Sequence, residues 1–295
     1  MKKLLIFALA IAMVLAMASC GDSNTEVTPT PSPEATPAPT ATPVDMIMSG
    51  PKANAGTVLY AIADMFMEDS GKYVQWKRTT VGTALAYCVA DKTDVAIISR
   101  DLKEEELATY ENVQSTRLCT EALAIIAGSD CPISDITIEQ LKDIYNGDIT
   151  NWNELGGEDS RINAYAVSDS VSTGDAFDEI VLGRDKNGTQ LTLDSTVAAT
   201  LSTPQQVADL VANDPLSIGF VPLTSLRSFS GVKVLTVESC YPSEIAAKNG
   251  VYPLSRNYNL VTIGEVTEEV QEFIDFCTTN SEAKGYLKQE GYILP

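Results

Sequence analysis

Histidine is absent from the 295-residue chain. The most common general base near neutral pH and the most common metal ligand are therefore both missing, and neither a Ser-His-Asp nor a Cys-His site can be built. Positive charge is also scarce: 20 lysines and arginines stand against 40 carboxylates, giving a formal net charge of −20. Such a surface repels DNA, RNA and anionic headgroups, so nucleic acid is not an expected partner. A small anion is not excluded, because local dipoles in a deep site outweigh a diffuse charge that salt screens within about 10 Å. No spacing marks two carboxylates as an acid/base pair. These absences argue against an enzyme, and no catalytic residue, cofactor or metal is expected.

Cysteine is sparse and unpatterned. Cys20, Cys88, Cys119, Cys131, Cys240 and Cys277 include no C-x-x-C pair suited to zinc or redox chemistry. Cys88 and Cys277 sit among apolar residues, where cysteine acts as a small hydrophobe. Cys119 and Cys131 are candidates to pair, although an intervening strand would hold them too far apart.

The N-terminus carries an address. Lys2 and Lys3 precede an apolar run from Leu4 to Met17, closed by Ala18-Ser19-Cys20. A run of about fourteen residues falls short of the roughly twenty that span a bilayer, so residues 1–20 read as a signal peptide. The end is similar to a bacterial lipobox, which makes Cys20 the lipid attachment site; cleavage after Ala18 is the alternative. Residues 21–44 form a Thr/Pro-rich tract with too few apolar side chains to offset ordering, hence a disordered linker. It reaches at most about 70 Å, a sensible spacer behind a membrane anchor.

Beyond the linker, periodicity alternates. Val58, Leu59, Ile62, Met65 and Phe66 predict an amphipathic helix closed near Gly71. Asp94–Ile98 and Ala122–Ala127 read as short buried strands. Thr137 and Gln140 form a capping box for a helix facing inward with Ile138, Leu141 and Ile144 and ending at Gly147. Thr203, Pro204 and Gln206 start another, with Val207, Leu210 and Val211 inward. Strands at Ile218–Val221, Val232–Val237 and Asn259–Ile263 and a helix at Val270–Cys277 complete an α/β chain with a mostly parallel sheet.

Residues 137–157, TIEQLKDIYNGDITNWNELGG, resemble the motif LTLEQLRDIFTGKITNWKEVGG of the phosphate-binding proteins of ABC importers. TDVAIISRDLKEEE (93–106), PLSIGFVPL (215–223), YPLSRNYNLVT (252–262) and the segment from Val270 to Leu294 match further family patterns in order. The resemblance implies a two-lobe periplasmic-binding-protein-like (type II) α/β fold with a ligand cleft between lobes. Residues 45–120 and 225–295 would form lobe 1 and residues 121–224 lobe 2.

In that family three loops hold a tetrahedral oxyanion with backbone N–H groups at helix starts, hydroxyls and arginine, a chemistry helix N-termini favour. The resemblance places Ser49, Lys52 and Asn54 in the first loop, Thr80, Thr83, Ser99 and Arg100 in the second, and Ser170, Ser172 and Thr173 in the third. Each loop departs from the pattern: the second loop's serine falls on Val81, and the third loop's two arginines fall on Val167 and Gly174. The bidentate fork is the least replaceable part of such a site. Bland readings stand beside these: a solvated Lys52, Thr80 or Thr83 as an N-cap, and Arg100 paired with Asp101 or Glu104.

The expected protein is an extracytoplasmic, lipid-anchored, monomeric solute-binding lipoprotein. It would take phosphate or another small oxyanion or polar solute and dock on an ABC permease. The alternatives are a diverged paralogue for a non-phosphate solute and a surface sensor or adhesion lipoprotein without transport.

Overall fold

A computed structural model describes residues 44–51 and 54–295. The leader, Cys20 and all but the last residue of the linker lie outside the described residues. The chain runs β1 (Met46–Pro51), α1 (Asn54–Ser70), β2 (Val74–Thr79), α2 (Val81–Val89), β3 (Val95–Ile98), α3 (Glu104–Thr109) and β4 (Val113–Ala127). It continues with β5 (Asp135–Ile136), α4 (Ile138–Asn146), β6 (Asn163–Val167), α5 (Ser172–Phe177), β7 (Ala199–Leu201), α6 (Pro204–Asn213) and β8 (Ser217–Pro222). Strands β9 (Lys233–Val234) and β10 (Thr236–Val237), α7 (Glu244–Lys248), β11 (Ser255–Ile263), α8 (Glu268–Thr279) and α9 (Ser281–Gln289) close it.

Local chemistry accounts for the clearest helix ends. Thr137 Oγ1 accepts from Gln140 N at 3.1 Å while Gln140 Oε1 accepts from Thr137 N at 2.9 Å, and Gly147 ends α4 at φ 83°. The same reciprocal pair joins Thr203 and Gln206 ahead of α6, with Pro204 in its first turn. Such a cap contributes about 1 kcal/mol. One expected inward residue differs: Leu210 is exposed, and Val207, Ala208 and Val211 form the packed face of α6.

The main sheet runs β2-β1-β3-β11-β4-β8-β6-β7. Its ends are parallel, as strand-helix alternation predicts, but its centre is not: β11 is antiparallel to β3 and β4, and β4 to β8. The expectation of a mostly parallel sheet is corrected there. There β4 and β11 pair from Ser255 opposite Ala122 to Ile263 opposite Val113, and an antiparallel pair needs no helical crossover between its strands.

Two large hydrophobic clusters flank this centre. One gathers Met46, Met48, Ile62 and Phe66 with Leu118, Cys119, Tyr258, Phe273 and Tyr292. The other gathers Ala122–Ala127, Trp152, Phe177 and Phe220 with Tyr252, Leu254 and Ile293. The divide therefore falls at Thr120–Glu121 in β4, at 255–257 in β11 and between Tyr292 and Ile293. Leu235, Val237, Ala247, Tyr252 and Leu254, expected with the first lobe, pack in the second cluster, so the division of the core does not coincide with a return near residue 225. A smaller cluster, with Ala84, Leu85 and Cys88 against Ile98 and Val261, seats α2. The thiols of Cys88, Cys119, Cys131, Cys240 and Cys277 are unpaired, and burial pushes that of Cys88 up to about 11.

Candidate functional site

Where the clusters meet, the β4–β11 ladder sets Glu121 directly opposite Arg256. Both are buried, and Arg256 Nη2 lies 2.9 Å from Glu121 Oε2, to which its Nε also donates at 3.0 Å. The second cluster supplies the remaining partners. Phe177 of α5 stacks on Phe220 of β8 at 4.0 Å between ring centroids, with Tyr145 edge-on at 4.7 Å. This packing anchors α5 and the π-helical turn Asp178–Leu182 behind it, so that Asp175 Oδ2 comes 3.1 Å from Arg256 Nη2 and Glu179 pairs with Nη1. Glu179 Oε1 also accepts from Ser99 Oγ at 3.0 Å, at the end of β3.

Glu121 is held from several sides. Ser172 Oγ donates to its Oε1 at 2.7 Å and Tyr258 Oη to its Oε2 at 3.2 Å, while Tyr292 Oη lies 3.0 Å from Ser172 Oγ. Burial pushes the phenols of Tyr258 and Tyr292 well above their ordinary value, so both are neutral hydrogen-bonding groups. Burial also raises the Asp175 carboxyl, against the pull of Arg256. Among the described residues one guanidinium thus faces three carboxylates, and this group carries net negative charge. A buried cation engaged in this way has no free face to offer an anion.

Beside this network lies a cavity of about 440 Å³ lined by Glu121, Ser170, Ser172, Thr173, Gln289 and Glu290, among others. None of the described residues lining it is basic. The described residues contain no group of three or more histidine, cysteine or carboxylate side chains arranged to hold a metal ion.

The expected site residues divide. The structure joins Ser99 and Ser172 through Glu179, Arg256 and Glu121, and sets Ser170, Ser172 and Thr173 on the cavity. Of the others, Ser49, Thr80, Thr83 and Arg100 make contacts elsewhere in the fold. Ser49 is buried, with its Oγ 3.0 Å from Thr93 Oγ1 and donating to Ala84 O at 3.2 Å, so it ties β1 to α2. Thr80 caps α2 by accepting from Thr83 N, and its hydroxyl contacts that of Thr83 at 2.9 Å. Arg100 forms a bidentate pair with Glu106 at 2.7 Å on both arms, rather than with Asp101 or Glu104 side chains. Asn54 opens α1, and Lys52 lies outside the described residues.

The two lost arginine positions are closed by packing. Val167 is buried in the second cluster, and a Cβ on Gly174 would meet Ser168 O at 2.2 Å. Sequence reasoning missed Glu121, Arg256, Asp175 and Glu179. Arg256 was visible within YPLSRNYN, but nothing in the sequence marks it as facing residues 77 and 81 positions away.

Comparison with known proteins agrees with this architecture. The phosphate-binding protein PstS of Borreliella burgdorferi is 28% identical over 205 residues, 68% of this chain and 71% of its own. That of Bacillus subtilis is 26% identical over 249 residues, 84% of this chain and 80% of its own. In fold, an ABC-type phosphate transport receptor from Vibrio cholerae superposes with a TM-score of 0.66 at 24% identity, covering 85% of this chain and 99% of that one. Among the described residues no helix is long and apolar enough to cross a membrane. The model of the PBP superfamily domain matches residues 35–281, and the chain belongs to that superfamily.

Proposed function

We propose that this protein is the extracytoplasmic solute-binding component of an ABC importer, held at the membrane through lipid on Cys20, and that its two hydrophobic clusters are lobes that close over the solute. The observation that carries this reading is the polar network at their junction. It takes Ser99 from one side, Ser172, Asp175 and Glu179 from the other, and Glu121 and Arg256 from the two strands that pass between. Polar groups converging between two packed bodies joined by continuous strands suit ligand capture by closure. The relatives named as phosphate-binding proteins support the importer role.

Phosphate itself is a poor ligand for this cleft. Arg100 is committed to Glu106, Arg256 is outnumbered by carboxylates, and the two arginine positions of the family are filled by Val167 and Gly174. Loss of a bidentate charged contact costs about 2–5 kcal/mol. Calorimetry should therefore give phosphate an affinity at least about tenfold below that of the Bacillus subtilis relative measured alongside. Equal affinity would sink the ligand reading. For the anchor, Cys20→Ala should shift the protein from the membrane fraction to the medium, and retention would count against it.

A further inference from the structure

The carboxylate of Glu179 occupies donors that would otherwise suit a small anion. Ser99 Oγ donates to its Oε1 at 3.0 Å and Arg256 Nη1 pairs with its Oε2. A hydroxyl beside a guanidinium edge fits any carboxylate or tetrahedral oxyanion. Here that fork is filled by the chain itself, from the turn Asp178–Leu182 whose Val181 and Leu182 are rooted in the second cluster, while Ser99 follows strand β3 of the first.

We propose that Glu179 is the specificity-determining residue of the cleft: its tethered carboxylate competes with small oxyanions for Ser99 and Arg256 and keeps them out. The proposal rests on the cleft assigned above. Two observations and one general principle support it. The donors are fixed, since Ser99 is buried and the Arg256 side chain is 5% exposed. Of the three carboxylates on Arg256, Glu179 is the one free to swing out, its side chain being 37% exposed against 24% for Asp175 and 9% for Glu121. Third, a competing group tethered nearby acts at an effective concentration in the millimolar range, above what a micromolar solute supplies. An anion that did displace Glu179 would still face Glu121 and Asp175. A solute without net negative charge meets neither obstacle and can use the hydroxyls of Ser170, Ser172 and Thr173.

The test is calorimetric titration of the full chain with inorganic phosphate and with sulfate, using wild type, Glu179→Gln, Glu179→Ala and, as a control for bulk charge, the exposed Glu158→Gln. Both Glu179 substitutions should raise anion affinity about tenfold or more, Glu179→Ala the further, and Glu158→Gln should leave it within about twofold. Should Glu179→Ala fail to fold, Glu179→Gln decides alone, since it keeps the shape and a hydrogen-bonding oxygen. Unchanged affinity in a folded Glu179 variant, or an equal gain in Glu158→Gln, overturns the proposal. Small-angle scattering at saturating phosphate separates the two readings. A tenfold gain without compaction leaves the role of Glu179 intact and removes lobe closure, whereas compaction with unchanged affinity does the reverse.

Discussion

Replacing Arg256 with methionine is the most demanding perturbation of this architecture. The guanidinium is buried and makes charged contacts with Glu121, Asp175 and Glu179. Methionine fills much of the volume, so the loss is electrostatic rather than a cavity. Glu179, the most exposed of the three, can turn to water, which leaves Asp175 and Glu121 as the stranded charges, Glu121 being held by Ser172 and Tyr258. Breaking a buried pair by removing one partner costs about 3–5 kcal/mol, and that loss is expected at pH 7 from urea unfolding with an unchanged m-value.

The pH dependence gives a second, signed readout. Burial already raises the Asp175 carboxyl, and Arg256 is the group that pulls it down. Without Arg256 the folded carboxyl rises further above its unfolded value. The stability tied to that raised carboxyl is fully present below about 3.8, its ordinary value, and is lost as pH climbs through the folded value. The variant should therefore regain part of its deficit between pH 7 and pH 5. A loss below about 1 kcal/mol at pH 7, or a deficit that grows on acidification, would refute the assignment of this network as a buried, arginine-dependent junction.

Two further outcomes follow from the same region. The Asp178 carboxyl is buried with Oδ1 unpartnered, and burial, then Asp169 and Asp175, push it up to about 7 from 3.8. Its stability contribution is full below about 3.8 and lost as pH rises through about 7, so Asp178→Asn should stabilise the protein at pH 8 by at most about 4 kcal/mol and leave it nearly unchanged at pH 4. Thermal melts at both pH values check this, and equal shifts at the two would contradict it. Gly174→Arg, which restores a family arginine, should lower the melting temperature and fail to improve phosphate binding, because its Cβ would sit 2.2 Å from Ser168 O. A variant that melts like wild type and binds phosphate tightly would show that α5 can move aside.

The sequence by itself determined what neighbours along the chain decide. The capping boxes of Thr137 with Gln140 and Thr203 with Gln206 and the left-handed Gly147 form where expected, because donor, acceptor and backbone conformation lie within one turn. The ordered motifs likewise carried the family and the fold class. Tertiary structure decided the rest. The antiparallel centre depends on which strands the fold sets side by side, with β11 between β3 and β4, and residues 122–127 alone do not reveal that. Leu210 faces solvent while Val207, Ala208 and Val211 pack, a choice of helix rotation that the apolar spacing alone leaves open. Ser49 and Arg100 look like ligand groups in a motif, yet Thr93 and Glu106 engage them. The Arg256 network joins residues from β4, β11, α5 and the turn after it, and electrostatic partnership over such separations is set by packing alone. A charged side chain's role depends on which charges the fold brings within a few ångströms of it, and that distance is not written in the order of the residues.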